Sequence, residues 1–235
     1  MIVAMFIGLT IYFNLDNSTV SYAAASGEYR SVGSGNWNLI TTWQKYNGSS
    51  WIAAVAVPDS SANIITIQSG HNVTITANQK ADQLVVSSGG TLTLNSGVTL
   101  TVSNGTGTDM TVNGTFVNAG TVTIRTGSAI NFSSTGKYQH NFTATAGTIP
   151  TATWSSGSTC EIIGYTSNPT APSGIQAFSN FTWNCPSQSN DIRLGGALTT
   201  ISSNFNVIST GSKSLQLAAA NSTLSVGGGL TISGG

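Results

Sequence analysis

Of the seven Asp and Glu residues, all but Asp16 lie beyond residue 25, and Glu28, Asp59, Asp82, Asp109, Glu161 and Asp191 are the first candidates for acid–base chemistry. Cleaving an acidic polysaccharide takes grouped carboxylates, because hydrolysis needs an acid and a base across one bond and elimination needs a stabilised carbanion. No two of the six are nearer in sequence than Asp59 and Asp82, and none forms a DxD or ExxE pair. Only stacking of successive coils would unite such residues, Asp82 with Asp109 for example. Asp59 follows Pro58 and precedes two serines, and Asp109 lies in a Gly-Thr corner, both ordinary turn settings. No catalytic residue is assigned, and the chain is read as a non-enzyme with a polysaccharide lyase or hydrolase as the remote alternative.

His71, in SGHNV, and His140, in YQHNF, are the only histidines, and neither has a Cys, His or carboxylate at metal spacing. Both read as turn or surface residues. The single NGTGTD at 104–109 does not supply the repeated calcium-binding nonapeptide, and no GxSxG elbow offers a nucleophile. No metal and no cofactor is expected. Cys160 and Cys185 are the only cysteines, set in strand-like text at a spacing that could bring them onto neighbouring coils, and they read either as two buried thiols or as one disulfide. T-x-T triplets at 74, 91, 99 and 121 are too irregularly spaced for one flat ice-binding face.

Trp37, Trp43 and Trp51, with Tyr29 and Tyr46, crowd the stretch 27–62. Two roles fit them. Large aromatics can cover the open hydrophobic end of a stacked fold, or they can form a platform on which sugar rings stack. The cap is the leading role, and Trp37, Trp43 and Trp51 are the candidate ligand-binding residues under the second.

The elements that would position these residues follow from the pattern around them. Charged residues are 6% of the 235, with seven Lys and Arg against seven Asp and Glu, so no field steers a polyanion and nucleic acid is not an expected partner. Short cores recur as ITI (65), VTI (73), LVV (84), LTL (92), LTV (100), MTV (110), VTI (122) and INF (130), with a weaker Phe116-Val117. Gly, Asn and Ser corners separate them. Within each core the period is 2, which sets Leu92, Leu94, Leu100 and Val102 on one side and Thr91, Thr93, Thr99 and Thr101 on the other. Cores this short suit a solenoid, in which coils of roughly 16 to 26 residues stack and build a shared interior. An antiparallel sandwich or barrel is the competing architecture.

Met1–Phe13 is continuously apolar yet shorter than the roughly 18 residues a spanning helix needs, and Tyr22–Ser26 offers a small-x-small cleavage site. Residues 1–25 read as a secretory signal peptide, with a first strand, a buried helix or a retained anchor as alternatives. No stable membrane span is expected in the mature chain.

SGNWNLITTW, then VPDSSANIITIQSGHNVTI, then DQLVVSSGGTLTLNSGVTLTV resembles the opening module of large bacterial surface proteins exported by type IX secretion, and that module is similar to the G8-type β-helix domain. QAFSNFTWNCPSQSNDIRLGGALTTISSNFNVISTG and LSVGGGLTISGG resemble the repeats that follow in such proteins. The resemblance implies an all-β, right-handed parallel β-helix in a secreted or cell-surface protein. The expected organisation is a signal peptide at 1–25, an aromatic-rich N-terminal cap and first coil at 26–62, solenoid repeats at 63–146 and further repeats at 147–235, with the chain read as the N-terminal piece of a longer protein. The expected function is a structural or adhesive scaffold whose partners are surface glycans or neighbouring cell-surface proteins. The alternative is the carbohydrate-binding portion of a secreted polysaccharide-degrading enzyme.

Overall fold

The computed structural model describes residues 23–218 and 221–234; the expected signal peptide falls, up to residue 22, outside the described residues. Each recurrent core forms a strand, and each strand lies parallel to the one a coil further on. One face of the rod is a nine-stranded sheet of Gly35–Asn36, Asn72–Ile75, Thr91–Leu94, Thr115–Asn118, Lys137–His140, Thr159–Ile162, Asn180–Asn184, Phe205–Ser209 and Leu230–Ile232. A second face stacks Tyr29–Ser31, Ile65–Ile67, Leu84–Val86, Met110–Val112, Ile130–Phe132 and Thr153–Trp154. A third is limited to Gln79–Ala81, Thr99–Val102 and Thr121–Ile124, and two further pairs of two-residue strands form beyond it. The chain is a β-solenoid, a parallel β-helix. Val73 stacks on Leu92 and Phe205 on Leu230, so coil length is not fixed and the last coil is longer than the first of these. Eight steps of about 4.8 Å make a rod on the order of 40 Å long. Among the described residues the only helix is one 3-10 turn, Ile40–Thr42, and no helix is long and apolar enough to cross a membrane.

Stacking turns the period-2 pattern into continuous columns. Inside the nine-stranded face, Val73, Leu92, Phe116, Tyr138, Cys160, Phe181 and Phe205 form one column, and Ile75, Leu94, Asn118, His140, Ile162, Trp183 and Val207 form the next. Leu92, Leu94, Leu100 and Val102 are fully buried, and Thr91, Thr93 and Thr99 are half-exposed. Thr101 departs from the pattern: it points outward by parity yet is buried.

The interior changes along the rod. Early coils are filled by aliphatic side chains and three walls of strands. After Thr121–Ile124 the third wall lapses, and the remaining space is taken by Phe132, Tyr138, Trp154, Phe178 and Phe181, with Phe132 and Trp154 stacked at 4.3 Å and 7°. Larger rings replace missing strands. Val122 and Ile124, which stack on fully buried Leu100 and Val102, are only half-buried in consequence. At the far end Leu230 and Ile232 are 57% and 69% exposed beside an apolar cleft of about 300 Å³ lined by Phe205, Val207, Leu215 and Leu217.

The near end is built differently. Trp43–Tyr46 runs antiparallel to Tyr29–Ser31 and forms a hairpin with Trp51–Ala53, in contrast to the parallel stacking that follows. Trp37 and Trp43 pack beneath it edge to face, with ring centroids 5.0 Å apart. Trp37 donates its indole N–H to the Pro58 carbonyl at 3.0 Å, and Trp43 donates to the Trp37 carbonyl at 2.8 Å. Each buried ring thereby has its one donor satisfied.

Coils this close leave no room for side chains at certain corners. A Cβ added at Gly114 would collide with the carbonyl oxygens of Ser87 and Gly90 in the preceding coil. At Gly97, by contrast, a Cβ meets nothing within 4 Å, and only the positive φ of 75° favours glycine. Gly114→Ala should therefore destabilise the rod by about 2–3 kcal/mol or more through backbone displacement, and Gly97→Ala by only about 1 kcal/mol. Urea unfolding of the two variants side by side checks the order.

Candidate functional site

Two places bring chemistry-bearing side chains together: the aromatic first coil and the corner that joins Asp82 to Asp109. In the first, the three tryptophans separate. Trp37 and Trp43 are 0% and 1% exposed, so no sugar ring can reach them, and their assignment to a glycan platform is corrected. Trp51 alone of the three is half-exposed, on the outward side of the hairpin. Its ring is covered on one side by the Arg30 guanidinium, 4.3 Å from the ring centroid, and Tyr46 stands 5.3 Å away. Asp59 shapes the turn that receives Trp37: its Oδ1 accepts from the Ser61 hydroxyl at 2.6 Å and the Ser61 N–H at 2.8 Å, and these bonds hold its carboxyl below the usual range.

The second place is the stacking partnership that the sequence left as a remote option. Register sets Leu84 on Met110 and Met110 on Ile130, so the residues preceding these strands share one corner over three coils. Asp109 is fully buried there. Its Oδ1 accepts the Gly105 N–H at 2.7 Å and its Oδ2 the Ala129 N–H of the next coil at 2.6 Å. Asp82, from the coil before, packs against the Cα of Gly105 with its carboxyl beside that of Asp109. Its Oδ1 is buried without a protein partner. Burial pushes both carboxyls up. For Asp109 the two backbone donors and Asp82 outweigh burial and hold the carboxyl low, whereas for Asp82 the hydrogen bond to Asp109 and its charge add to burial and raise it. Of the two, Asp109 gives up its proton first and Asp82 holds its own to higher pH. Gln83, between this corner and the next strand, has φ of 50°, a left-handed conformation rare for a side chain of its size, and its amide donates to Thr106.

This pair resembles an acid–base couple in composition only. Asp109 is saturated with backbone donors and closed over by the 103–108 corner, so it holds coils together and presents no base to a substrate. Among the described residues no group of three or more His, Cys, Asp and Glu side chains converges on a metal-sized site.

His140 corrects the surface reading. It lies inside the rod, in the column between Asn118 and Ile162, and is fully buried. Nε2 donates to the Ala146 carbonyl at 2.7 Å, which leaves Nδ1 to accept from the Tyr138 hydroxyl at 3.1 Å. Tyr138 in turn accepts from Asn118 Nδ2 at 3.0 Å, and Tyr165 donates to the same Ala146 carbonyl at 2.8 Å. His71 is half-buried, with Nδ1 2.8 Å from the Ser31 hydroxyl. Ser31 is itself fully buried, so the contact fastens two coils.

Cys160 and Cys185 are both buried free thiols, and the disulfide alternative is not formed. The register explains this. Cys160 sits beside Phe181, and Cys185 lies four residues further along that coil, on the order of 13 Å away at 3.3 Å per residue, beyond the ~7 Å Cα limit for a bridge. Burial raises both thiols, Cys185 to about 11.

Comparison with known proteins adds no relative: no family model, no curated protein and no solved structure matches the chain. What the side chains do must be argued from their geometry.

Two pH effects follow. Asp82 has a raised folded pKa, so its contribution is favourable at low pH and is lost as pH rises past the ordinary carboxylate value. Asp82→Asn supplies Asp109 with a neutral donor and removes the titration; it should raise the thermal midpoint at pH 7 and lose that advantage near pH 3. Burial holds His140 down at about 4. An unfolded imidazole takes its proton near 6.5 and the folded one only near 4, so stability is complete above pH 6.5 and falls by about 3 kcal/mol as pH drops through that window. Urea midpoints measured from pH 7 to 4 should show the decline, and His140→Gln should flatten it.

Proposed function

We propose that this chain is a non-enzymatic β-solenoid segment of a secreted or cell-surface protein, a structural and adhesive scaffold that holds functions away from the cell. The observation that carries the reading is how the acidic side chains are used. Asp59, Asp109 and Asp191 each accept backbone N–H bonds that fix corners, Asp59 and Asp191 a serine hydroxyl as well, Asp191 through the N–H and hydroxyl of Ser214 at 2.9 and 3.0 Å. Glu28 accepts from Ala25, and Glu161 from Gln139 and Lys137 on the outer wall. Carboxylates committed to holding coils together are not poised over a cleft as an acid and a base. A stacked fold also suits a spacer, because each coil contacts mainly its neighbours and the rod bears load along its length.

Export by the type IX route and adhesion to glycans or neighbouring surface proteins belong to the same proposal, supported by the resemblance of most of residues 30–235 to the modules of such proteins. The test has two arms. On intact cells the chain should be accessible to added protease, and the purified chain should release no reducing ends and no unsaturated sugars from a panel of neutral and acidic polysaccharides. Product release that Asp109→Asn abolishes while the fold is retained would replace the scaffold with a lyase or hydrolase.

A further inference from the structure

The outward side of the cap hairpin carries a cation with no counter-charge among the described residues. Register sets Arg30 beside Gln44 and Tyr46 beside Trp51, so that these four side chains share one outer surface. Arg30 Nε and Nη2 both donate to Gln44 Oε1, at 3.0 and 2.8 Å, while the plane of the guanidinium lies against Trp51. Among the described residues two of its five N–H groups are used and three remain. Glu28, two residues earlier on the same side, is held by the Ala25 N–H at 2.9 Å and makes no ion pair with Arg30; among the described residues the ion pair joins Lys137 and Glu161 instead.

A guanidinium fixed by an amide on one edge and an indole on one face has lost conformational freedom and part of its hydration before any ligand arrives. Its open edge then matches a planar carboxylate, which accepts two parallel N–H bonds. Neutral sugars use aromatic rings differently: they need a free ring face, and Arg30 occupies one of Trp51.

We propose that Arg30, Gln44, Tyr46 and Trp51 form a binding subsite for the carboxylate of a uronic-acid unit in an acidic polysaccharide, on the outer wall of the first coil. The subsite goes beyond the scaffold reading and does not depend on it, since binding without release of products leaves that reading intact.

Isothermal titration of the purified chain with oligogalacturonate, followed in parallel by tryptophan fluorescence, tests the subsite. Saturable binding is expected, together with a change in Trp51 emission that Trp51→Phe removes and weakening as salt rises. Neutral oligosaccharides of equal length should not bind. Arg30→Gln should weaken binding ~10-fold or more, and Arg30→Lys should also weaken it because an ammonium offers no planar fork. Far-ultraviolet circular dichroism and thermal midpoints confirm that each variant is folded. No binding by the wild type, equal binding by Arg30→Gln, or equal binding of a sulfated oligosaccharide would each overturn a carboxylate subsite.

Discussion

Outside the cap hairpin every described strand pairs with a strand one coil away, and that spacing of about 4.8 Å governs the rest of the structure. A side chain in such a stack does not choose its neighbours freely. Its nearest contact is the residue at the same place in the adjacent coil, so like environments repeat and a misfit propagates along a column. Aliphatic and aromatic residues tolerate this well because stacking buries them on both sides. Corners tolerate it only where a Cβ is absent, as at Gly114, whose path is closed by two carbonyl oxygens.

Polar and ionisable groups inside such a stack need partners within it. Asn118, Tyr138, His140 and Tyr165 form a chain of hydrogen bonds that ends on the Ala146 carbonyl, and no polar atom among them is left bare. The chain ties the 141–149 loop to the interior where the third wall of strands has just ended. Asp109 does related work at another corner, joining Gly105 to Ala129 of the next coil through two backbone N–H groups while Asp82 packs against them from the coil before. Residue types usually associated with catalysis are here the fasteners of a rod.

How much of this the sequence discloses depends on the range of the interaction. Period 2 and Gly-rich corners are local, and they suffice to place Leu92, Leu94, Leu100 and Val102 inside and to name a solenoid. Which residue stacks on which requires coil lengths, and these are not constant: the step from Val73 to Leu92 is shorter than the step from Phe205 to Leu230. The Asp82–Asp109 contact is therefore visible beforehand only as one option among several. The burial of His140 is available from parity, since Tyr138 and His140 alternate with Lys137 and Gln139 in KYQH; its polarity masks the signal. Trp37, Trp43 and Trp51 look alike in sequence. A hairpin with two sides divides them, and only the register of Tyr46 with Trp51 says which side each takes.

The hairpin also gives the rod a direction. Trp43–Tyr46 reverses the sense of the strands on one face and Trp51–Ala53 restores it, so the sheet at this end finishes on a three-residue edge strand, too short to offer a long row of free backbone groups to another chain. The two ends of the described rod are therefore unlike: one face finishes on a hairpin at the first coil, whereas Leu230 and Ile232 stand exposed on the last described strand.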